Sequence, residues 1–293
     1  MKLKKSLIHF MYDHFLPFMI NRRWKRVYGH RIDWKHPKDI NEKMQWLVCF
    51  GDTSKWPICA DKYRVREYLK EKGLESLAVK LYGVWDNADD IDYDSLPEKF
   101  VLKCNHDSGT CIIVDKRTSF NREEINQTLN KALSVQFGYI NGEVYYNKIQ
   151  PCIIAEEFLE SKDTSFSSSL VDYKVWCFDG KPFCIWACHS RTKEGTYVNV
   201  YDLNWTAHPE YSVFTDHYRD GKGVVPKPKS FEQMMTAASI LSEGFPEVRV
   251  DFYDVDGRLY FGELTFMTLF GQIDFYTESF LTVLGNHCKL PFE

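Results

Sequence analysis

Two groups of residues in this sequence combine charge types that could do chemistry. The first centres on Val101-Leu102-Lys103-Cys104. A lysine within an apolar strand is costly unless it meets an anion. It is followed by the small polar loop Asn105-His106-Asp107-Ser108-Gly109-Thr110, whose backbone N–H groups are of the kind that cover phosphate oxygens. The plainer alternative has Lys103 facing solvent from an edge strand and His106 bonded only within its turn. The second group is Arg249-Val250-Asp251, followed by Gly262-Glu263-Leu264-Thr265. Asp251 and Glu263 are hard oxygen donors suited to Mg²⁺ held in part by substrate phosphates; otherwise they are ordinary surface carboxylates.

The turn between the strands that carry them decides whether Asp251 and Glu263 can cooperate. A two-residue turn at Asp256-Gly257 pairs Val255 with Arg258, and in that register Asp251 and Glu263 lie on opposite faces. A three-residue loop, Asp256-Gly257-Arg258, pairs them directly, with Gly257 supplying the left-handed residue. The metal reading therefore expects the three-residue loop. A third, weaker element is Ile153-Ile154-Ala155-Glu156-Glu157-Phe158-Leu159, an apolar strand ending in two acids just before a flexible stretch. It suits a hinge whose backbone reads a purine edge, or is a plain strand end.

The elements that must position these residues are legible in outline. Residues 1–75 read as helical. Asn41 opens one amphipathic stretch with Met44, Leu47 and Val48, and Asp61 caps another through Tyr63, Val65, Tyr68 and Leu69 that ends near Gly73. Phe100–Cys104 and Cys111–Val114 read as a hairpin with a long tip, 121–139 as a helix and Cys152–Leu159 as a strand. Residues 161–169 are the most linker-like stretch. Strands follow at Tyr173–Phe178 and Pro182–Cys188, turning at Asp179-Gly180. A polar, aromatic region spans 195–229; its Tyr197–Tyr218 part is either core packing or a lid over a sugar. A helix Phe231–Glu243 and strands Glu247–Val255 and Leu259–Phe266 follow. Hairpins alternating with helices indicate an α+β fold. The division expected is 1–75 as a helical region, 76–160 as a first subdomain and 161–293 as a second.

Composition narrows the function classes. The chain has 293 residues, is 44% hydrophobic and carries a net charge of −4, so it can bury a core without staples. Residues 1–30 hold seven Lys/Arg against the single acid Asp13, a local +6 that leaves −10 for the rest. An acidic body does not suit a nucleic-acid binder. Nine cysteines without a CxxC pair do not form a disulfide framework or zinc ribbon and read as reduced, mostly buried thiols. The most apolar N-terminal run, Leu7 to Ile20, contains His9, Asp13, His14 and Pro17 and is too short for a span. The expectation is a cytoplasmic protein; the basic N-terminus either packs on the protein or makes peripheral contact with the inner face of the membrane. Asp254-Val255-Asp256 is an Asp-x-Asp candidate for a glycosyltransferase, and turn chemistry explains it. GxxxxGK, GxGxxG, GxSxG and HExxH are all absent.

The order of these elements resembles the ATP-grasp superfamily, and more closely its TupA-like (teichuronopeptide biosynthesis) family, which is associated with bacterial surface polysaccharides. The similar phrases are Asn41-Glu42-Lys43-Met44-Gln45-Trp46-Leu47, Ala60-Asp61-Lys62-Tyr63, Val101 to His106, Ile154 to Leu159, Asp172-Tyr173-Lys174, Phe245 to Asp251 and Phe261 to Phe266. The resemblance implies an ATP-grasp fold of two α+β subdomains with a helical N-terminal segment. It implies an ATP- and Mg²⁺-dependent carboxylate–amine ligase that forms an amide through an acyl-phosphate. Lys62, Lys103, His106, Ser108 and Gly109 would contact phosphates, and Glu156, Glu157 and Phe158 would read adenine. Asp251, Glu263 and Thr265 would hold the metal, while Lys174, Arg191 and Arg249 would face the reacting phosphate. The partners implied are ATP, a carboxylated sugar (free, nucleotide-linked or lipid-linked) such as a uronic acid of capsule or O-antigen assembly, and an amine.

The sequence departs from the superfamily at three places. Thr265 stands where many members have Asn, Met267-Thr268-Leu269-Phe270-Gly271 replaces a Pro-Gly-Ser-Gly-like loop, and residues 1–60 are too short and helical for a preceding Rossmann-like domain. The alternatives are a sugar-kinase-like phosphotransferase, a non-catalytic nucleotide-binding protein, or a glycosyltransferase.

Overall fold

The computed structural model describes residues 2–162 and 164–292 of the chain, with the side chains of residues 2–5 left out. In chain order it has helices α1 (Lys2–His14), α2 (Leu16–Tyr28), α3 (Ile40–Phe50), α4 (Trp56–Ala60) and α5 (Val65–Glu71). Strands β1 (Leu81–Trp85), β2 (Lys99–Cys104) and β3 (Cys111–Asp115) follow, then α6 (Arg122–Leu133), α7 (Gly138–Asn141) and β4 (Ile153–Glu157). After 160 come β5 (Asp172–Phe178), β6 (Lys181–His189), β7 (Thr196–Tyr201), β8 (Tyr218–Asp220), α8 (Phe231–Ser242), β9 (Val248–Val255), β10 (Arg258–Thr265) and α9 (Glu278–His287). The fold is α+β. Among the described residues no helix is long and apolar enough to cross a membrane.

Two compact units divide the chain. The first comprises the residues up to His9 and Ser54–Leu159; the second is discontinuous, Phe10–Thr53 with the described residues from Glu160 onward. In the first unit an antiparallel sheet has the order β1-β4-β2-β3. Phe100, Leu102 and Cys104 of β2 and Ile153 and Ala155 of β4 enter its core at every second position, with Leu129 of α6 against them, as a strand buried on one face requires. Asn121 caps α6 by accepting from Glu124 N.

The second unit holds a six-stranded sheet ordered β10-β9-β5-β6-β7-β8, antiparallel except for β7 with β8. The region 195–229, which the sequence left without elements, supplies β7 and β8, because Val198, Val200 and Tyr201 bury against the sheet despite a polar surrounding sequence. Tyr201 stacks on Trp205 at 4.3 Å, and the Trp205 indole donates to Val225 O, so these two aromatics take part in packing. Asp39 caps α3 by accepting from Glu42 N at 2.9 Å, and the Glu42 carboxylate accepts in turn from Lys38 N, a reciprocal device close to a capping box. The apolar run Leu7 to Ile20 is two helices, α1 and α2, parted at Phe15 with Pro17 in the first turn of α2, where a missing N–H costs nothing. Asp61 caps as expected, accepting from Tyr63 N and Arg64 N, but the α-helix itself begins only at Val65. All nine cysteines are free thiols, seven of them buried.

Candidate functional site

In the first unit the strand lysine does meet an anion. Lys103 Nζ donates to Glu156 Oε2 at 2.8 Å, and Arg66 donates to Glu156 Oε1 at 2.7 Å. Their strands make this possible: β2 and β4 pair with Val101 opposite Glu156, so Lys103, two residues on, shares the face of Glu156. Glu156 is buried, whereas both cations keep partial access to solvent. The result is a carboxylate holding two cations at one face of the sheet, with a net positive charge.

The loop after β2 is pinned at both ends. Asn105 donates its amide to Asp61 Oδ1 and Gln150 O, and accepts from Cys152 N. Lys62 donates its side chain to Asp107 O and its backbone N–H to Asn105 O at 3.1 Å. Lys62, Lys103 and Glu156 therefore gather with the loop in one unit. The tip alone is open: Ser108 and Gly109 are exposed, with Gly109 at φ +110°, a backbone that side chains rarely adopt. His106 lies under it. The ring is buried, burial lowers its pKa, and Nε2 bonds to Val135 O rather than within the turn. Glu157 lies on the opposite face from Glu156, its N–H bonded to Lys80 O, and the Phe158 ring sits 3.8 Å under Lys99 Nζ.

In the second unit five of the expected residues meet on one face of the six-stranded sheet. Lys174 of β5 lies opposite Asp251 of β9, which lies opposite Glu263 of β10; Arg249 and Thr265 pair in the neighbouring register. This row does not arise from the expected three-residue loop. The turn is the two-residue one, with Arg258 opposite Val255 and both Asp256 and Gly257 left-handed at φ 56° and 93°. A bulge at Gly262 corrects the register: Phe261 pairs with Phe252 and Glu263 with Asp251, leaving Gly262 unmatched. A Cβ on Gly262 would come to 3.0 Å from Asp251 O, so the close approach also favours glycine.

Asp251 is buried and accepts from Arg249 Nε on Oδ1 at 2.7 Å, and from Arg249 Nη2 and Lys174 Nζ on Oδ2. Burial alone would raise its pKa, but Arg249 and then Lys174 outweigh it and hold it below the ordinary carboxylate range. Burial likewise works against a charged Lys174, and Asp172 and Asp251 outweigh it to raise its pKa. Asp172, reached by Lys174 Nζ at 2.7 Å and by Arg191 at 3.3 Å, has its pKa raised by burial. Lys174 thus belongs to a buried network. Arg191, more than half exposed, remains at its edge. Arg249 spans the site, donating to the hydroxyls of Thr265 and Thr268, with Glu263 Oε1 at 3.7 Å.

These donors fit a divalent cation in part. A carboxylate offers about four lone-pair positions, and Asp251 uses three, leaving one on Oδ1. Glu263 is half exposed, and Thr265 follows it on the same face. Among the described residues no three His, Cys, Asp or Glu side chains gather as a complete ligand set. Phosphate oxygens and water would have to supply the remaining ligands.

After β10 the chain enters an unusual turn. Leu269 and Phe270 are both left-handed, at φ 46° and 59°, each costing on the order of 1 kcal/mol. Gln45 donates to Phe270 O and Gly271 O, and Arg23 donates to Phe270 O at 2.9 Å, so helices α2 and α3 hold the strained turn in place. His189 packs between Phe166 and Tyr197 and bonds Ser190 Oγ, a packing role. Asp254 accepts from Ser230 and from Gly257 N, which is the turn chemistry expected of it.

Three residues of these networks were missed as site residues. Asp172 was within reach, since Asp172 and Lys174 share a strand face at i, i+2. Asn105 lay inside a quoted phrase but carries no charge to mark it. Arg66 had no signal at all, its partner being 90 residues away.

The chain matches the family described as TupA-like ATPgrasp over residues 42–289. The comparison with curated proteins found no match. Among solved structures, a D-alanine–D-alanine ligase from Bacillus anthracis complexed with ATP is 18% identical, with 75% of this chain and 56% of that one covered at a TM-score of 0.38. The corresponding ligase from Helicobacter pylori is 11% identical over 87% and 67%, at 0.46. The D-cycloserine synthetase DcsG is 16% identical over 82% and 72%, at 0.42. This chain spans little more than half the length of the first of these, and no residue role passes from them to it.

Proposed function

Since the chain belongs to the TupA-like ATP-grasp family, we propose that it is an ATP-dependent ligase joining a carboxylate to an amine. The observation that carries this reading is the row Lys174–Asp251–Glu263 with Arg249 beside it. It concentrates two buried cations and two carboxylates on one sheet face, with no nucleophile among them.

A carboxylate does not react with an amine unaided. Its oxygen attacks the γ-phosphorus of ATP, releasing ADP and leaving an acyl-phosphate; the amine nitrogen then attacks the acyl carbon, the C–O bond to phosphate breaks, and a proton leaves the nitrogen. Both stages crowd negative charge on phosphoryl oxygens, and preorganised cations stabilise such charge. Lys174 and Arg249 are held charged by their network and need no reorganisation. Arg191 supplies a further, more exposed cation at its edge. In the first unit Lys62 and Lys103 serve the nucleotide phosphates, with the open tip at Ser108 and Gly109 and the ring of His106 beneath it. Glu156 and the backbone near Phe158 serve the base, whereas the Glu157 side chain, on the opposite face, does not. Asp251, Glu263 and Thr265 would hold Mg²⁺, which when bound neutralises phosphate charge. For the acceptor, a uronic acid or similar carboxylated sugar of a surface polysaccharide is the reading that agrees with the family's association, with an amino acid or small amine as the second substrate.

The test is thermal unfolding with and without excess Mg-ATP. Ligand at about 100 times its Kd adds ~2.7 kcal/mol, several degrees at ~2–4 °C per kcal/mol. Glu263→Gln is the informative variant, because the side chain is half exposed and its loss leaves the Asp251 network intact. A shift in the wild type that Glu263→Gln loses supports the reading, and phosphate release requiring both a uronate and an amine separates ligase from kinase. No shift with an intact fold overturns it.

A further inference from the structure

Helix α2 lies before the segment matched to the family, and it carries a second concentration of charge. Arg22, Lys25 and Arg26 of α2 and Arg31 just beyond it line a cavity of about 750 Å³, with Phe18 and Trp34 as its apolar walls and no acidic residue in its lining. Among the described residues none of these four cations pairs with a carboxylate. That is unlike the cations of the sheet sites, each of which is paired.

Four like charges around one cavity repel one another, and the repulsion is relieved only by counter-ions or a bound anion. Three of the four are guanidinium groups, whose planar forks match phosphate oxygens two at a time. The cavity falls within the size range of small-molecule sites, more than a lone inorganic ion requires. The helix is also fixed in its unit: Arg23, facing away from the cavity, donates to Phe270 O in the strained turn after β10.

We propose that this cavity binds a phosphate or diphosphate ester through Arg22, Lys25, Arg26 and Arg31, with Phe18 and Trp34 against the organic part. The same headgroup chemistry is offered by a soluble phosphate ester and by an anionic phospholipid. Phe18 of the same helix and Phe15 just before it, 55% and 49% exposed, give a lipid-borne ligand an apolar footing. The site does not depend on the ligase reading.

The experiment titrates the full chain with inorganic pyrophosphate by calorimetry at low salt. In parallel it measures sedimentation with vesicles of phosphatidylcholine alone or with phosphatidylglycerol. The variants are Arg22→Gln/Lys25→Gln/Arg26→Gln/Arg31→Gln, the milder Arg26→Gln/Arg31→Gln, and Lys103→Gln. All four cavity cations are exposed, so the fold is expected to survive, and far-ultraviolet circular dichroism checks it. The expected result is a pyrophosphate site weakened by about tenfold or more in the fourfold variant, partly in the double variant, and still present in Lys103→Gln, which removes only binding at the nucleotide lysines. Binding to phosphatidylglycerol vesicles that pyrophosphate displaces assigns the site to a lipid headgroup; pyrophosphate binding alone assigns it to a soluble ester. Pyrophosphate binding that follows Lys103 and ignores the four cations overturns the proposal, as does binding of neither probe.

Discussion

Glu263 stands directly across from Asp251 only because Gly262 occupies an extra place in β10. With the tight turn at Asp256-Gly257 and no bulge, the two carboxylates would lie on opposite faces of the sheet. A single residue without a side chain therefore sets whether Glu263 shares the face of Asp251.

Gly262→Ala tests that dependence. The added methyl would lie 3.0 Å from Asp251 O and 3.3 Å from the Tyr253 ring; the backbone oxygen cannot rotate aside. A destabilisation of about 1–2 kcal/mol is expected, with the Mg-ATP-induced rise in Tm reduced more than the loss of stability alone explains. Denaturant melts with and without Mg-ATP measure both.

Asp251→Asn strands Arg249 and Lys174 with one charge too few in a buried site. Removing one partner of such a network costs about 3–5 kcal/mol. Adding Lys174→Met to Asp251→Asn is expected to recover part of that loss, so a double-mutant cycle in urea will show strong coupling. Additive losses would contradict the network.

Glu156→Gln leaves Lys103 and Arg66 without their shared anion. The cations are partly solvated, so the expected cost is about 2 kcal/mol, read as a lower denaturation midpoint. Lys103→Met is expected to cost less, because Arg66 still satisfies Glu156.

Glu247 gives the pH dependence a definite sign. It is fully buried, and neither carboxylate oxygen has a hydrogen-bond partner among the described residues. Burial raises its pKa well above the ordinary value. The group is protonated in the folded state and ionised in the unfolded one, so it favours folding fully below pH ~4.3 and progressively less as pH rises toward the folded pKa. Glu247→Gln removes that dependence. The variant is expected to gain on the wild type as pH rises above ~5, by at most about 1.4 kcal/mol per pH unit and levelling off at the folded pKa, measured as the difference in urea midpoint between pH 5 and pH 8.

Much of the fold was legible in sequence because its strands alternate and its helices keep an apolar period, with Asp61 a short-range cap; the caps at Asp39, two residues before the Asn41 opening, and at Asn121 came only with the structure. Lys103 announced itself as a charge in an apolar strand, and its partner Glu156 was already marked as an acid at a strand end. The bulge at Gly262 was not legible. Turn residues report local geometry, and a register error corrected five residues further along leaves no local trace. The strands β7 and β8 were hidden for a related reason: their apolar residues are interleaved with polar and aromatic ones, and only the sheet gives them a common face. Arg66 and Asn105 act across long sequence separations, where periodicity carries no information.

The discontinuity of the second unit has a consequence for synthesis on the ribosome. Helix α3 depends on residues made far later: Asn41 exchanges hydrogen bonds with Ile273, and Lys43 donates to Cys288 O. Asn41 and Ile273 are 232 positions apart, and at ~5–20 residues per second the wait is on the order of tens of seconds. During that interval the first unit emerges from Ser54 to Leu159 and can complete its own sheet, while Ile40, Met44, Leu47 and Val48 have no partner surface. The nascent chain thus passes through a stage in which its leading helices are ready and unclaimed, and a holding chaperone would find its target there.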